Sequence, residues 1–197
     1  MIPNSSCGYA IDMLKQIIIG GLLGGLVLFF WGFISWAVMG WHEYTINGNH
    51  EGVAAVVDGI GENLPETGVY YFPPKPSNPA MEEAWMESHK TQPHGLIFYT
   101  KETGDIMPPS MFLRGFCVDV IASMMAVVLL LMALPNLQSY WTRVMFVLSL
   151  GVFGVMSVHL VHGVFFTMPL TWTVGVGIDL VVSWLLVGLV LGGIVKP

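Results

Sequence analysis

The chain has 197 residues, of which 54% are hydrophobic and only 10% are charged. A soluble domain usually carries about a quarter charged residues, so this composition indicates a membrane protein. Seven Lys and Arg stand against thirteen Asp and Glu, without a basic stripe, which argues against nucleic acid as a partner.

Four apolar runs are long enough to cross a bilayer, which takes about 20 apolar residues. They predict an all-α membrane protein: a four-transmembrane-helix bundle with a small α+β extracytoplasmic insert between helices 1 and 2. Pro135 ends the second run and Pro169 separates the third from the fourth, because proline removes a helical hydrogen bond. The predicted segments are a cytoplasmic N-terminal segment 1–16, spans 17–40, 113–134, 143–167 and 170–195, an insert 41–112, a cytoplasmic loop 135–142 and an outer turn 168–169.

The first run follows Lys15 and contains about 24 apolar residues, more than the roughly 7–15 of a signal-peptide core. No small-x-small cleavage site follows it cleanly. We therefore interpret this run as an uncleaved first span.

Few basic residues are available to orient the spans. Lys15, Arg143 and Lys196 fall on one side of a four-span topology, and basic residues near spans concentrate in the cytoplasm. We therefore expect a multi-pass protein of the bacterial inner (cytoplasmic) membrane with both termini in the cytoplasm. The insert, which carries ten of the thirteen acidic residues, then lies outside.

Small residues recur at helical spacing in the first and fourth runs. Residues four apart share a helix face, and small residues there let helix backbones approach closely in lipid. This pattern predicts packing within the bundle, with dimerisation through the same faces as the alternative. The glycines are Gly20, Gly21, Gly24, Gly25, Gly188 and Gly192.

The insert contains signals for two short helices and two short strands. "EGVAAVVDGIGENL" predicts one helix, and Asn78 as cap with Pro79 at the first position predicts the start of another. "GVYYFPP" and "HGLIFYTK" are rich in aromatic and β-branched residues and predict the strands. The insert also contains two methionines and two histidines that could bind copper, which thioether and imidazole groups suit. Packing and surface contacts are the simpler interpretation of these residues. They are Met81, Met86, His89 and His94.

Four ionisable residues lie inside the predicted spans: Asp119, His159, His162 and Asp179. Such residues are costly in lipid and usually face the bundle interior. At about 1.5 Å per residue, all four lie roughly 7–13 Å below the outer end of their helices. We therefore expect one buried polar cluster, with His42 and Glu43 above it.

Three interpretations of this cluster stay open. In the first, the aspartates bond with the histidines and order the helices without chemistry. In the second, the four residues hold a metal ion, as facing helices do in bundle cores. In the third, they relay protons or line a substrate path. Haem is disfavoured, because histidines three apart on one helix cannot both be axial ligands of one iron.

Several stretches together resemble a family of small uncharacterised bacterial four-helix inner-membrane proteins. They are "WGFISW" followed by "WHE" at the end of the first span, "GVYYFPP" in the insert, "HLVH" in the third span and "IDLVVSWLLVGLVL" in the fourth. The resemblance implies a four-helix membrane fold with a periplasmic insert, and it implies no particular activity.

No catalytic signature such as G-x-S-x-G, a P-loop or H-E-x-x-H occurs in the chain, which argues against an enzyme. Few charges, glycine-paired helices and a compact insert favour a non-catalytic accessory or structural subunit of a larger membrane complex. The alternatives are a metal- or proton-handling protein that uses the Asp/His cluster and a small transporter component. The expected partners are the lipid bilayer and other membrane protein subunits.

Overall fold

The structure is a computed structural model that describes residues 5–47 and 51–196, with side chains from Gly8 onward in those ranges. Two of the α-helices continue into π-helical segments, Ile34–Val38 after the first and Val155–Leu160 after the fifth. The α-helices are α1 (Ser5–Phe33), α2 (Gly52–Asn63), α3 (Glu82–Thr91), α4 (Pro109–Ala133), α5 (Tyr140–Gly154), α6 (Val161–Phe165) and α7 (Leu170–Ile194), and the strands are β1 (Gly68–Phe72) and β2 (Gly95–Tyr99).

Within the described residues, four helical stretches are long and apolar enough to cross a membrane: Gly8–Val38, Pro109–Asn136, Tyr140–Phe165 and Leu170–Ile194. This fits the predicted, mostly helical membrane fold. The insert emerges from one end of the bundle, which we call the insert side. The opposite end, at the turn between α4 and α5, is the loop side.

Helix α1 packs along both α4 and α7, and α5 packs along α7. The spatial order is therefore α4, α1, α7, α5, so consecutive spans are not always neighbours. The buried core lies towards the loop side, where buried side chains of the second, third and fourth spans meet partly buried side chains of α1. Its buried members are Ala126, Val127, Leu130, Leu134, Val147, Val187, Leu191 and Val195.

Close approach between spans takes place at the glycine pairs. A Cβ added to Gly20 would lie 2.7 Å from a Val127 methyl group, and one added to Gly25 would lie 2.8 Å from the Val120 Cα. On α7, a Cβ at Gly188 would lie 2.9 Å from the Val144 carbonyl oxygen. These glycines therefore lie where α1 meets α4 and where α7 meets α5, in contacts within one chain.

The insert forms the two short helices and the strand pair that its sequence predicts. Strands β1 and β2 are antiparallel, with Gly68 opposite Tyr99 and Phe72 opposite Gly95. The Asn78 side chain accepts a hydrogen bond of 3.0 Å from the Ala80 backbone N–H, and a 3-10 turn leads from this cap into α3. Helix α3 therefore lies between the two strands in the chain.

The spans differ from the predicted ones chiefly at their ends and in their regularity. Helix α1 begins at Ser5, ahead of the predicted position 17, because the polar residues before the apolar run are compatible with a helix. Helix α4 begins at Pro109, where proline suits the first helical turn. The two π-helical segments are absent from the sequence prediction, because hydropathy does not distinguish an i→i+5 turn from an i→i+4 turn.

Candidate functional site

Asp179, on the insert-side half of α7, accepts three hydrogen bonds from the end of the first span. Trp31 Nε1 and Ser35 Oγ each donate to Asp179 Oδ1 at 2.7 Å. Trp36 Nε1 donates to Oδ2 at 3.3 Å. An indole N–H can only donate, so these partners suit an ionised carboxylate, which can only accept. We call this group, together with Trp41 and His42, the Asp179 cluster.

Ser35 is fully buried and lies at the centre of the Asp179 cluster. Its hydroxyl donates to Asp179 and accepts from Trp41 Nε1 at 3.0 Å. His42 Nε2 lies 3.1 Å from the same oxygen. A hydroxyl has one proton to donate, and here that proton is committed to Asp179, so His42 Nε2 carries a proton and donates it to Ser35.

The imidazole of His42 is enclosed by two indole rings. The Trp36 ring stacks on it at 3.7 Å and 9°, and the Trp41 ring lies at 4.1 Å and 38°. His42 Nε2 is also 3.8 Å from Asp179 Oδ2. Its other ring nitrogen, Nδ1, is buried and has no hydrogen-bond partner among the described residues. With Nε2 protonated, a neutral ring leaves Nδ1 as a bare acceptor.

The local backbone explains how residues on both sides of a turn reach one carboxylate. In the π-helical segment the Met39 N–H bonds to the Ile34 carbonyl at 2.9 Å. Gly40 then adopts a φ of +66°, a left-handed conformation that glycine tolerates without steric cost. The 3-10 turn Trp41–Tyr44 that follows brings Trp41 and His42 back over the helix end.

Helix α7 accommodates this turn at a glycine. A Cβ at Gly175 would lie 2.7 Å from the Thr45 methyl group, and Thr45 Oγ1 in turn donates to the His42 carbonyl at 2.8 Å. Gly175 is one turn before Asp179. The absence of a side chain there therefore lets the turn settle against α7 beside the carboxylate.

The structure brings only one of the four predicted intramembrane residues into the Asp179 cluster. The side chains of Asp119, His159 and His162 are half-buried and form no hydrogen bond or ion pair within the described ranges. The His162 ring contacts Phe166 edge-on, with centroids 5.3 Å apart. His42, which was expected above the four-residue cluster, lies with its Nε2 3.8 Å from Asp179 Oδ2.

Across residues 5–47 and 51–196, no group of three or more His, Cys, Asp or Glu side chains is placed to hold a metal ion. A metal site on Asp119, His159, His162 and Asp179 therefore gains no support from the structure and stays a prediction. His159 lies in the π-helical segment Val155–Leu160. The α-helical rule that residues three apart share a face does not apply directly there.

Sequence reasoning missed the donors to Asp179. Trp31, Ser35 and Trp36 lie in an apolar run, and a hydropathy reading treats tryptophan as apolar packing material. One feature of the sequence indicates these donors: Trp31 lies deeper in the span than the aromatic belt at a membrane surface. Tryptophan that deep, one turn from Ser35, suits a buried acceptor on a neighbouring helix.

The hydrogen-bond directions determine what the Asp179 cluster can do. In a nucleophilic serine the histidine accepts the serine proton, whereas here Ser35 gives its proton to Asp179 and accepts from His42. Ser35 is also completely shielded from solvent. The cluster therefore joins the first span to α7 through a satisfied carboxylate and has the geometry of a clamp between helices.

Comparison with models of protein families, with curated proteins and with solved structures finds no match for this chain.

Proposed function

We propose that this protein is a non-catalytic integral membrane subunit of the bacterial inner membrane that binds a second protein through its insert. Its four apolar helices are compatible with an integral membrane protein. The Asp179 cluster supports a structural role within the bundle, because three donors from the first span satisfy the Asp179 carboxylate. The main support for a binding role is an exposed apolar face on α2.

Helix α2 presents an uncovered apolar face. Val53, Val56, Val57 and Ile60 follow the i, i+3, i+4, i+7 spacing of one helix side. The three valines are 43%, 55% and 57% exposed, and no residue of α2 is buried. A contiguous apolar face that residues 5–47 and 51–196 leave exposed is typical of an interaction site.

Charge indicates which partner covers this face. Residues 41–112 contain ten acidic and three basic residues, and the polar side of α2 carries Asp58 and Glu62. Helices that lie on membrane surfaces usually carry Lys and Arg on the polar side, which disfavours lipid. A second copy of the same acidic insert would be repelled. The partner that fits is a different protein with an apolar groove rimmed by Lys and Arg.

The test combines site-specific crosslinking with purification from native membranes. A photo-crosslinking side chain placed at position 57 is expected to capture one defined protein, and the same protein should co-purify with the unmodified chain. The double variant Val56→Ser, Val57→Ser should lose that partner because it removes the apolar contact. Raised salt should weaken co-purification because the rim contacts are between charges.

The matched control is Val69→Ser on β1, which changes a valine that is 60% exposed outside α2. It should retain the partner. The proposal fails if the protein is recovered alone and monomeric from native membranes. It also fails if the double variant retains the partner as well as the control does.

One observation favours a second candidate, proton handling. Nδ1 of His42 is buried without a partner among the described residues, while the ring lies beside the Asp179 carboxylate. Buried ionisable groups of this kind form proton relays in membrane proteins. Reconstituted liposomes would then show proton flux that is lost in both His42→Gln and Asp179→Asn. Equal flux in the original chain and both variants would reject this candidate.

A further inference from the structure

A second group of polar aromatic side chains lies in the insert, away from the Asp179 cluster. Tyr71 on β1, His89 in the last turn of α3 and His94 just before β2 converge there. Tyr71 Oη is 3.2 Å from His89 Nε2. The centroids of the His89 and His94 rings are 5.7 Å apart, with an angle of 36° between the planes.

The hydrogen bonds of His89 determine which of its nitrogens is available. Its Nδ1 is 2.9 Å from the Trp85 carbonyl oxygen, which can only accept, so Nδ1 carries the proton. In the neutral ring Nε2 is then a bare acceptor that faces Tyr71. Metal-binding histidines commonly have this arrangement, in which the second nitrogen donates to a backbone carbonyl and fixes the ring.

Trp85 makes this support rigid. Its Nε1 donates to the Pro73 carbonyl at 3.1 Å, and its ring packs edge-on against His89 at 4.4 Å. Tyr71 also stacks on His89, with centroids 5.8 Å apart. Tyr71 and His89 are therefore held in place by β1 and α3.

We propose that Tyr71, His89 and His94 form a binding site for a divalent transition-metal ion, with Cu²⁺ bound more tightly than Zn²⁺. This proposal is independent of the partner proposed for α2. With metal–ligand distances near 2.0–2.1 Å, two donors on one ion are about 2.9–3.4 Å apart. The 3.2 Å between Tyr71 Oη and His89 Nε2 falls in that range.

His94 completes the site from the exposed turn before β2. Two imidazoles on one ion have ring centres roughly 4.5–5.5 Å apart, so the 5.7 Å between the His89 and His94 ring centres reaches that range by a shift of about 0.2–1.2 Å. Binding displaces the phenol proton of Tyr71 to solvent, which leaves a phenolate and two imidazoles as ligands. One of the three ligands is a phenolate, so this site is consistent with the absence of any metal-binding group of three or more His, Cys, Asp or Glu side chains among the described residues.

The donor set and the surrounding charge select the ion. Imidazole suits copper and zinc, and affinity for a given site rises from Mn²⁺ to Cu²⁺ and falls again at Zn²⁺. Mg²⁺ and Ca²⁺ prefer oxygen ligands and find one here. The excess of acidic residues in the insert favours the approach of cations.

The experiment uses the full chain, purified in detergent and freed of metal, titrated with Cu²⁺ and with Zn²⁺. We expect one tight Cu²⁺ per chain, nitrogen hyperfine structure from two imidazoles in the electron paramagnetic resonance spectrum, and a visible phenolate-to-copper charge-transfer band. Tyr71→Phe should abolish the band. His89→Gln and His94→Gln should each weaken Cu²⁺ binding by at least about tenfold.

The matched control is Tyr70→Phe, which removes a neighbouring hydroxyl whose hydrogen bond of 2.7 Å goes to the Glu66 carbonyl. It should leave the band and the affinity unchanged. Circular dichroism of each variant separates loss of a ligand from loss of fold. The proposal is overturned if correctly folded His89→Gln and His94→Gln bind Cu²⁺ as tightly as the original chain, or if that chain shows no charge-transfer band.

Discussion

At the scale of single residues, Asp179 shows how a carboxylate is accommodated between apolar helices without a bond from Lys or Arg. Indole N–H groups from Trp31 and Trp36 and the Ser35 hydroxyl provide the donors. Each donor brings a hydrogen-bonding proton without bringing a second full charge. The cost of burying one charge is therefore offset by hydrogen bonds, which are stronger to charged acceptors than to neutral ones.

Replacing Asp179 by Asn should destabilise the protein by about 1–3 kcal/mol, because an amide NH₂ would then face donor groups that need an acceptor. The measurement is the free energy of unfolding in detergent micelles, followed by tryptophan fluorescence. The matched control is Asp119→Asn, because the Asp119 side chain forms no hydrogen bond or ion pair within the described ranges. Equal loss of stability in both variants would contradict the clamp.

At the scale of elements, hydropathy and local capping predict much of the fold, and tertiary neighbours account for most of the rest. The four spans follow from continuous apolar runs, and the start of α3 follows from Asn78 and Pro79. Which spans are neighbours depends on packing. Matched depth therefore suggested that Asp179 meets His159 and His162, whereas the structure places it against the end of the first span and His42.

The contact between α1 and α4 leads to a second prediction. Gly25→Ala should destabilise the protein by about 1–3 kcal/mol, because its Cβ would overlap backbone atoms of Val120 that cannot rotate away. Gly32→Ala is the control in the same helix, since no atom of the described residues lies within 4 Å of a Cβ there. Thermal unfolding in detergent should show a lower midpoint for the first variant only. Comparable midpoints for the two variants would mean that the helices do not approach as closely as described.

In the insert, a hydrogen bond from Thr67 Oγ1 to Glu102 Oε2 at 2.5 Å holds the pKa of Glu102 below its ordinary value. The Glu102 backbone N–H and the charge of Lys101 add smaller effects in the same direction. A carboxyl group whose pKa is lowered by folding stabilises the fold above its unfolded pKa. That contribution is lost as the pH falls through the folded pKa.

Thr67→Val should therefore raise the pKa of Glu102 towards its ordinary value, since it removes the largest cause of the shift. A carbon-13 NMR titration of the Glu102 carboxyl group measures this directly. Thr91→Val serves as control, because the Thr91 hydroxyl bonds to a backbone carbonyl and to no carboxylate. An unchanged pKa in Thr67→Val would show that the hydrogen bond does not act on Glu102 in solution.

At the scale of the whole molecule, α7 is held in each of its halves by polar contacts of a different kind. Asp179 joins its insert-side half to the first span. On the loop side, Arg143 is only 6% exposed and donates from Nε to the Gly192 carbonyl at 3.0 Å. The Arg143 Nη1 donates to the Leu137 and Gln138 carbonyls at 3.2 and 3.1 Å. A guanidinium that donates to carbonyls at a helix C-terminus also interacts favourably with the negative end of the helix dipole.

The position of Arg143 also predicts the orientation of the chain in the membrane. Arg143 lies on the loop side together with Lys15 and Lys196, and basic residues near spans concentrate in the cytoplasm. We therefore predict that the insert faces outward and the loop side faces the cytoplasm. In a chain with Cys7→Ser and Cys117→Ser, a cysteine at Thr103 should react with a membrane-impermeant maleimide added to spheroplasts. A cysteine at Asn136, which is exposed on the loop side, should react only after the membrane is permeabilised. The reverse labelling pattern would place the insert in the cytoplasm and would remove an extracytoplasmic partner from consideration for α2.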